Sequence, residues 1–268
     1  MPTFTFTACT WNMQRGRTLT AGKSETQTKQ NQRTSRLAGL RSICQNHDVV
    51  FIQEPGKDLR EHLNTSPFGM TWHIDPREDN QSDSSACRSI LAVNTGELTT
   101  VRLNFHSGAE SASRYPAAAY WDVEDTNDYE HRILLVSLHA TSGYGGGKNT
   151  QILTDVLDDY LDDNCPVLLV GADFNAESAQ YQPVKKPNVP THQSGSKLDG
   201  FYGDNKSVEQ ASDKYIELDT PVTVNNFTLR IGGNDKGCYH SGQRVSDHRP
   251  VEVTARIKWR EKKRRRLI

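Results

Sequence analysis

The stretch Cys165-Pro166-Val167-Leu168-Leu169-Val170-Gly171-Ala172-Asp173-Phe174-Asn175 decides how the rest of the chain is read. Its first eight residues form a continuous apolar run, short and β-branched, and predict a buried strand over Cys165–Ala172. The run stops at Asp173 and Asn175, polar groups of the kind that make turns through their own side chains. A buried strand that ends in chemistry-bearing residues is a pattern, and the pattern recurs on either side.

Upstream, Thr3–Trp11 alternates with Phe4, Phe6 and Ala8 on one face and leads into Asn12. Asp48–Gln53 is a short apolar run that ends at Glu54, and Arg132–His139 ends at His139. Downstream, Asp199 lies in the predicted strand Lys197–Tyr202, and Asp247 and His248 precede Val251–Ile257. Further strands are predicted over Arg88–Asn94, Thr99–Phe105, Ala117–Val123 and Val222–Leu229. Leu37, Leu40 and Ile43 give Gln32–Asn46 a helical period, and Ile152, Leu153, Val156, Leu157, Tyr160 and Leu161 do the same for Asn149–Leu161. Thr18–Arg33 begins as a polar loop. Strands, helices and long polar loops mix throughout with no repeat, which predicts one α/β domain of two packed sheets with helices outside. The catalytic domain is assigned to residues 1–257 and a basic tail to 258–268.

The chain has 268 residues, 34% hydrophobic and 24% charged, with a formal net charge of −1. A chain of this length buries roughly 70–75% of its unfolded surface, so it folds without disulfides. Cys9, Cys44, Cys87, Cys165 and Cys238 are odd in number and widely spaced, with no CxxC pair, so no zinc site or disulfide framework is read from them. No run approaches the roughly 20 apolar residues of a transmembrane helix. The N-terminus alternates like a strand and lacks a charged leader region, so no signal peptide is read there. Lys258 to Ile268 carries seven basic residues and one acid, Glu261. Lys262, Lys263, Arg264, Arg265 and Arg266 read either as a solvated tail or as a phosphate-binding or nuclear-import patch.

Each strand-end residue has an ordinary structural reading when taken alone: a hydrogen-bonding His, a Glu in a turn before Pro-Gly, an Asx turn. As a set they suit phosphoryl chemistry. Glu54 and Asp247 are hard oxygen ligands for Mg²⁺ or Ca²⁺. Two histidines and further carboxylates can activate water and protonate a leaving oxygen. Amides and an arginine can hold a phosphate.

The order Thr10-Trp11-Asn12, Gln53-Glu54, Ser137-Leu138-His139, Gly171 to Asn175, Leu198-Asp199-Gly200 and Ser246 to Pro250 resembles the endonuclease/exonuclease/phosphatase superfamily, from Thr10 to Pro250. The resemblance implies a DNase I-like fold, a four-layer α/β sandwich with two packed mixed β-sheets flanked by helices. It implies a Mg²⁺-dependent phosphodiesterase (Mn²⁺ or Ca²⁺ being the other cations considered) with DNA as partner and substrate. Glu54 stands for the main metal ligand, with Asn12 and Asp247 beside it. Asp173 stands for the residue that orients or deprotonates water, Asn175 for a phosphate contact, and His248 for the histidine at the scissile phosphate, oriented by Asp199. His139 stands for the second catalytic histidine.

Several segments resemble the catalytic B subunit of cytolethal distending toxins: Trp11 to Gln14, Gln53 to Gly56, Ser113 to Pro116 with Arg114 as a phosphate clamp, and Ser137 to Ala140 followed by Gly145 to Asn149. That likeness implies delivery subunits as partners, export, and action in a host nucleus. Two departures from these patterns stand out, and the first leaves the carboxylate partner of His139 unassigned. The segment Ser85-Ala86-Cys87-Arg88 has no carboxylate where DNase I-type enzymes pair one with the first catalytic histidine, and Arg15 replaces a small residue. A phosphoinositide phosphatase on the same scaffold is the alternative activity, and a fold that kept its shape but lost its chemistry is the third reading.

Overall fold

The computed structural model describes residues 3–14, 26–74, 89–101, 116–124, 130–140, 167–175, 185–203 and 214–259. Their order is β1 Phe4–Asn12, α1 Gln27–Asn46, β2 Val49–Gln53, α2 Gly56–Thr65, β3 Thr71–His73, β4 Ser89–Val93, β5 Glu97–Thr100 and β6 Ala117–Glu124. Then come β7 Glu130–His139, β8 Leu168–Asp173, β9 Asp199–Gly203, β10 Lys214–Leu218, β11 Thr223–Val224, β12 Thr228–Arg230, β13 Gly237–His240, β14 Gln243–Ser246 and β15 Val251–Trp259.

One sheet has the order β10-β15-β1-β2-β4-β3, with β11 also on β15, and a second has the order β5-β6-β7-β8-β9. Both are mixed, because β1 and β2 run parallel, as do β7 and β8, while their other neighbours are antiparallel. A parallel pair needs a long crossover. For β1 and β2 that crossover contains α1. For β7 and β8 it contains the predicted Asn149–Leu161 helix, which lies outside the described residues. Among the described residues the flanking helices are α1 and α2, both packed on the outer face of the first sheet.

The alternation of β1 explains the layering. Phe6 and Ala8 point between the sheets and join Phe51, Leu91, Trp121, Leu135, Leu169 and Phe201 in the central core. Cys9 and Trp11 point the other way and join Leu40, Ile43, Cys44, Leu59 and Leu63 beneath the helices. All five residues of β2 and all six of β8 are buried, as expected of strands covered on both faces.

Several elements differ from the sequence reading. α1 starts at Gln27 rather than Gln32, because Thr26 caps it by accepting from the Lys29 N–H and its exposed polar first turns show no apolar period. α2 was not expected. Its apolar stripe is only Leu59 and Leu63, too short to stand out from a Pro-Gly turn. Val222–Leu229 is two strands instead of one. Asn225 breaks it, donating its N–H to Pro250 and accepting from Arg249 Nε at 2.9 Å, which turns Phe227 against Trp11. The residues beyond form a third sheet, β12-β13-β14, packed on α1. Arg36 of α1, itself buried, donates to the Val245 carbonyl of β14 at 2.7 Å. β15 runs on to Trp259, so Lys258 pairs with Tyr215 inside the sheet. Among the described residues no helix is long and apolar enough to cross a membrane.

Candidate active site

The strand register brings the predicted residues to one end of the sandwich. Asn12 and Gln53 are partners at the ends of β1 and β2, which places Glu54 beside Asn12. His139 and Asp173 are partners at the ends of β7 and β8, and Asp173 faces Asp199 at the start of β9. Asp247 and His248 enter the same region just before β15.

Local turns aim these side chains. Asn12 Oδ1 accepts from the Gln14 N–H at 2.8 Å, and Asp173 Oδ1 accepts from the Asn175 N–H at 2.9 Å. Both are Asx turns that carry the second residue into the left-handed region, with φ of 48° at Gln14 and 49° at Asn175. Glu54 also has positive φ, 51°, where β2 turns into α2. The loop before β15 is tied to the end of β1: Trp11 Nε1 donates to the His248 carbonyl at 3.0 Å, and Ser246 Oγ donates to the Asn12 carbonyl at 2.7 Å while accepting from the His248 N–H.

Contacts at the strand ends join one sheet to the other. Asn12 Nδ2 donates to Asp173 Oδ2 at 2.8 Å. His139 Nε2 lies 3.6 Å from Glu54 and 3.5 Å from Asp173. His248 Nδ1 lies 2.9 and 3.1 Å from the two oxygens of Asp199, with its Nε2 3.8 Å from both Asp173 and Asp247. Asn175 Nδ2 reaches the Ala140 carbonyl at 2.8 Å and Asp173 at 3.3 Å.

Burial of His248 opposes its charge, but Asp199, Asp173 and Asp247 outweigh it and push its pKa up to about 10. Burial also works against the Asp173 carboxylate, yet His248, His139 and the amide donors hold it below the ordinary value. Burial lifts Glu54, helped by the negative charges of Asp173 and Asp247. Asp247 stays low in spite of burial because His192 and His248 face it. The site thus gathers several carboxylates around imidazoles; a divalent cation would relieve the repulsion between Glu54 and its acidic neighbours Asp173 and Asp247, and Asn12 adds an amide oxygen. That donor set fits a hard cation.

Thr191 and His192 escaped the sequence reading. Thr191 Oγ1 accepts from the backbone N–H groups of both Leu198 and Asp199, at 3.0 and 3.2 Å. His192 Nε2 lies 3.5 Å from Asp247, and its ring sits 4.6 Å from that of His248. Asp247, His192 and His248 group tightly enough to hold an ion, as do Asp173, Asp199 and His248. In sequence, Thr191-His192-Gln193-Ser194-Gly195 reads as an ordinary polar turn, and only the pairing of His192 with His248 reveals it. Arg114, the segment 85–88 and residues 262–266 lie outside the described residues.

The Endonuclease/Exonuclease/phosphatase family model matches residues 9–248. The chain belongs to that family, and with it to hydrolases of the phosphodiesterase class whose buried His/Asp cluster is the one described here. Its fold is similar to that of humanized D. rerio TDP2, at 16% identity and a TM-score of 0.59, covering 94% of this chain and 98% of that one. The human Nocturnin catalytic domain is similar at 12% identity and a TM-score of 0.58, covering 95% of both chains. An endonuclease/exonuclease/phosphatase family protein from Bacteroides thetaiotaomicron is similar at 13% identity and a TM-score of 0.57, covering 96% and 99%. No curated protein matches the chain in sequence.

Proposed function

We infer that the protein is a Mg²⁺-dependent endonuclease that nicks DNA. The observation that carries the reading is the buried His248–Asp199 pair facing Asp173, with Asn12, Glu54 and His139 closing the other side. In this reading Glu54, Asn12 and Asp247 hold the cation, which when bound would neutralise phosphate charge. Asp173, kept ionised by its imidazole and amide neighbours, orients the attacking water and takes its proton. His248, kept cationic by Asp199, turns Nε2 toward a non-bridging phosphate oxygen. Asn175 steadies Asp173 and the phosphate, with Arg114 as a further clamp. As the new P–O bond forms and the old one breaks, His139 delivers a proton to the departing oxygen.

DNA as the substrate class draws support from a D. rerio TDP2 structure described as a complex with single strand DNA product, 14% identical with a TM-score of 0.54. A genotoxin-like role, with delivery subunits and action in a host nucleus, rests on the short segments at Trp11, Gln53, Ser113 and Ser137. None of the similar structures reported above is such a subunit.

Supercoiled plasmid with Mg²⁺ is the test. Wild type is expected to produce open circles. EDTA is expected to stop it, and His139→Ala, His248→Ala and Asp247→Ala should each lose roughly 10²–10⁴-fold in rate. A folded wild type that leaves plasmid intact in Mg²⁺ and Mn²⁺, yet releases phosphate from soluble phosphoinositides, overturns the nuclease reading in favour of the phosphatase.

A further inference from the structure

A second cluster of ligand-type side chains lies on the outer face of the first sheet, under the end of α1. Cys9 and Glu252 are direct cross-strand partners in β1 and β15. On its other side Cys9 is the partner of Val50 in β2. His47 ends α1 just before that strand and comes down onto the same pair. The ligand atoms of Cys9, His47 and Glu252 all lie within 4.8 Å of one another. Cys9 is fully buried and His47 nearly so.

His47 and Glu252 are in direct ion-pair contact, and the three groups are spaced closely enough to share one ion. His47 Nδ1 is engaged by the Ile43 carbonyl at 2.8 Å, which fixes the ring and leaves Nε2 turned toward Glu252 Oε1 at 3.3 Å. A metal-ligating imidazole typically donates its other N–H to such a carbonyl. Bonds of about 2.0–2.1 Å to a tetrahedral ion set two ligand atoms roughly 3.3 Å apart, the spacing found here. Asn225 Nδ2 donates to Glu252 and holds the carboxylate in place. Cys44, one turn before His47 on the buried side of α1, is a second buried thiol in the same core cluster as Cys9.

We propose that Cys9, His47 and Glu252 form a zinc-class metal site that ties the end of α1 to β1 and β15, separate from the catalytic cleft. Thiolate, imidazole and carboxylate together select a borderline ion such as Zn²⁺ over Mg²⁺. The two sites lie on opposite faces of β1: Cys9 points under the helices, whereas Asn12 points to Asp173. Sequence spacing conceals the cluster because its members come from β1, the end of α1 and β15. The site takes one cysteine, Cys9, and its other two ligands are not cysteines, so cysteine spacing carries no trace of it.

Cobalt(II) distinguishes this site from the catalytic one, whose proposed ligands include no sulfur. The full chain, reduced and stripped with chelator, is titrated with Co²⁺ while near-ultraviolet absorption is followed. A thiolate-to-cobalt charge-transfer band is expected, displaced by Zn²⁺ and untouched by excess Mg²⁺. Cys9→Ser should abolish the band, His139→Ala should keep it, and Glu252→Gln, which retains shape and the Asn225 contact, should weaken Co²⁺ binding at least tenfold or so. Absence of the band in wild type, its survival in Cys9→Ser, or unchanged affinity in Glu252→Gln overturns the proposal. Plasmid nicking, read separately, leaves the two claims independent.

Discussion

At the scale of single residues, the site depends on who holds His248. Its ring is buried, its Nδ1 is taken by Asp199, and three carboxylates favour its cation. Asp199→Asn removes one of those charges and lets an amide N–H face Nδ1, where it competes with the imidazole proton. A drop of roughly 10²–10⁴-fold in kcat, with KM little changed, is expected from nicking kinetics. An equal rise in KM instead would mean that Asp199 serves binding and not orientation. Asp199 is placed in turn by Thr191, whose hydroxyl accepts from the half-buried Leu198 N–H and the buried Asp199 N–H. Thr191→Val leaves those donors with no side-chain acceptor and is expected to cost about 1–3 kcal/mol in urea unfolding. Asp199 was legible in the sequence because Leu198-Asp199-Gly200 belongs to an ordered motif set. Thr191 and His192 were not, since their roles exist only through contacts to Asp199, Asp247 and His248 that no local pattern encodes.

At the scale of elements, β2 and β8 were legible because a strand buried on both faces must be an unbroken apolar run, and the same stretches end in the site's carboxylates. What such a run does not disclose is how closely its neighbour approaches. A Cβ on Gly171 would lie 2.3 Å from Phe51 Cδ2 and 2.9 Å from its Cβ. Phe51 is fully buried, so its ring has nowhere to withdraw. Gly171→Ala is expected to destabilise by about 1–3 kcal/mol, seen as a lower midpoint of thermal unfolding. Adding Phe51→Leu should recover part of the loss. If the single variant melts like wild type, the sheets are not in contact at that point. α2 and the β12-β13-β14 sheet were illegible for the opposite reason. They offer two leucines or strands of three and four residues, and tertiary packing alone decides them.

At the scale of the whole molecule, each sheet carries half a site. Asn12, Glu54, Asp247 and His248 belong to the first sheet's strand ends, and His139, Asp173, Asn175 and Asp199 to the second's. Every cross-site contact is therefore also a contact between sheets, and chemistry requires that the sheets not slide. The apolar core resists separation but has no directional preference against small shifts. Direction comes from Gln53, buried one residue before Glu54. Its Nε2 lies 3.1 Å from both Thr10 Oγ1 and Ser137 Oγ and 3.3 Å from the Gly171 carbonyl, so β1, β7 and β8 all meet on one amide. Ser137 Oγ donates back to the Ile52 carbonyl at 3.3 Å. A fully satisfied polar network inside a core specifies one arrangement in a way that apolar contacts do not. Gln53→Leu keeps the volume but strands these partners, and about 1–3 kcal/mol of stability should be lost in urea unfolding. Gln53→Glu places a carboxylate against the Gly171 carbonyl and should be less stable still. The decisive comparison is activity under conditions where Gln53→Leu is fully folded. If the amide sets the register of the two half-sites, nicking falls although none of the proposed ligands or catalytic groups has changed. Wild-type rates in that variant would mean that strand ends alone hold the halves together.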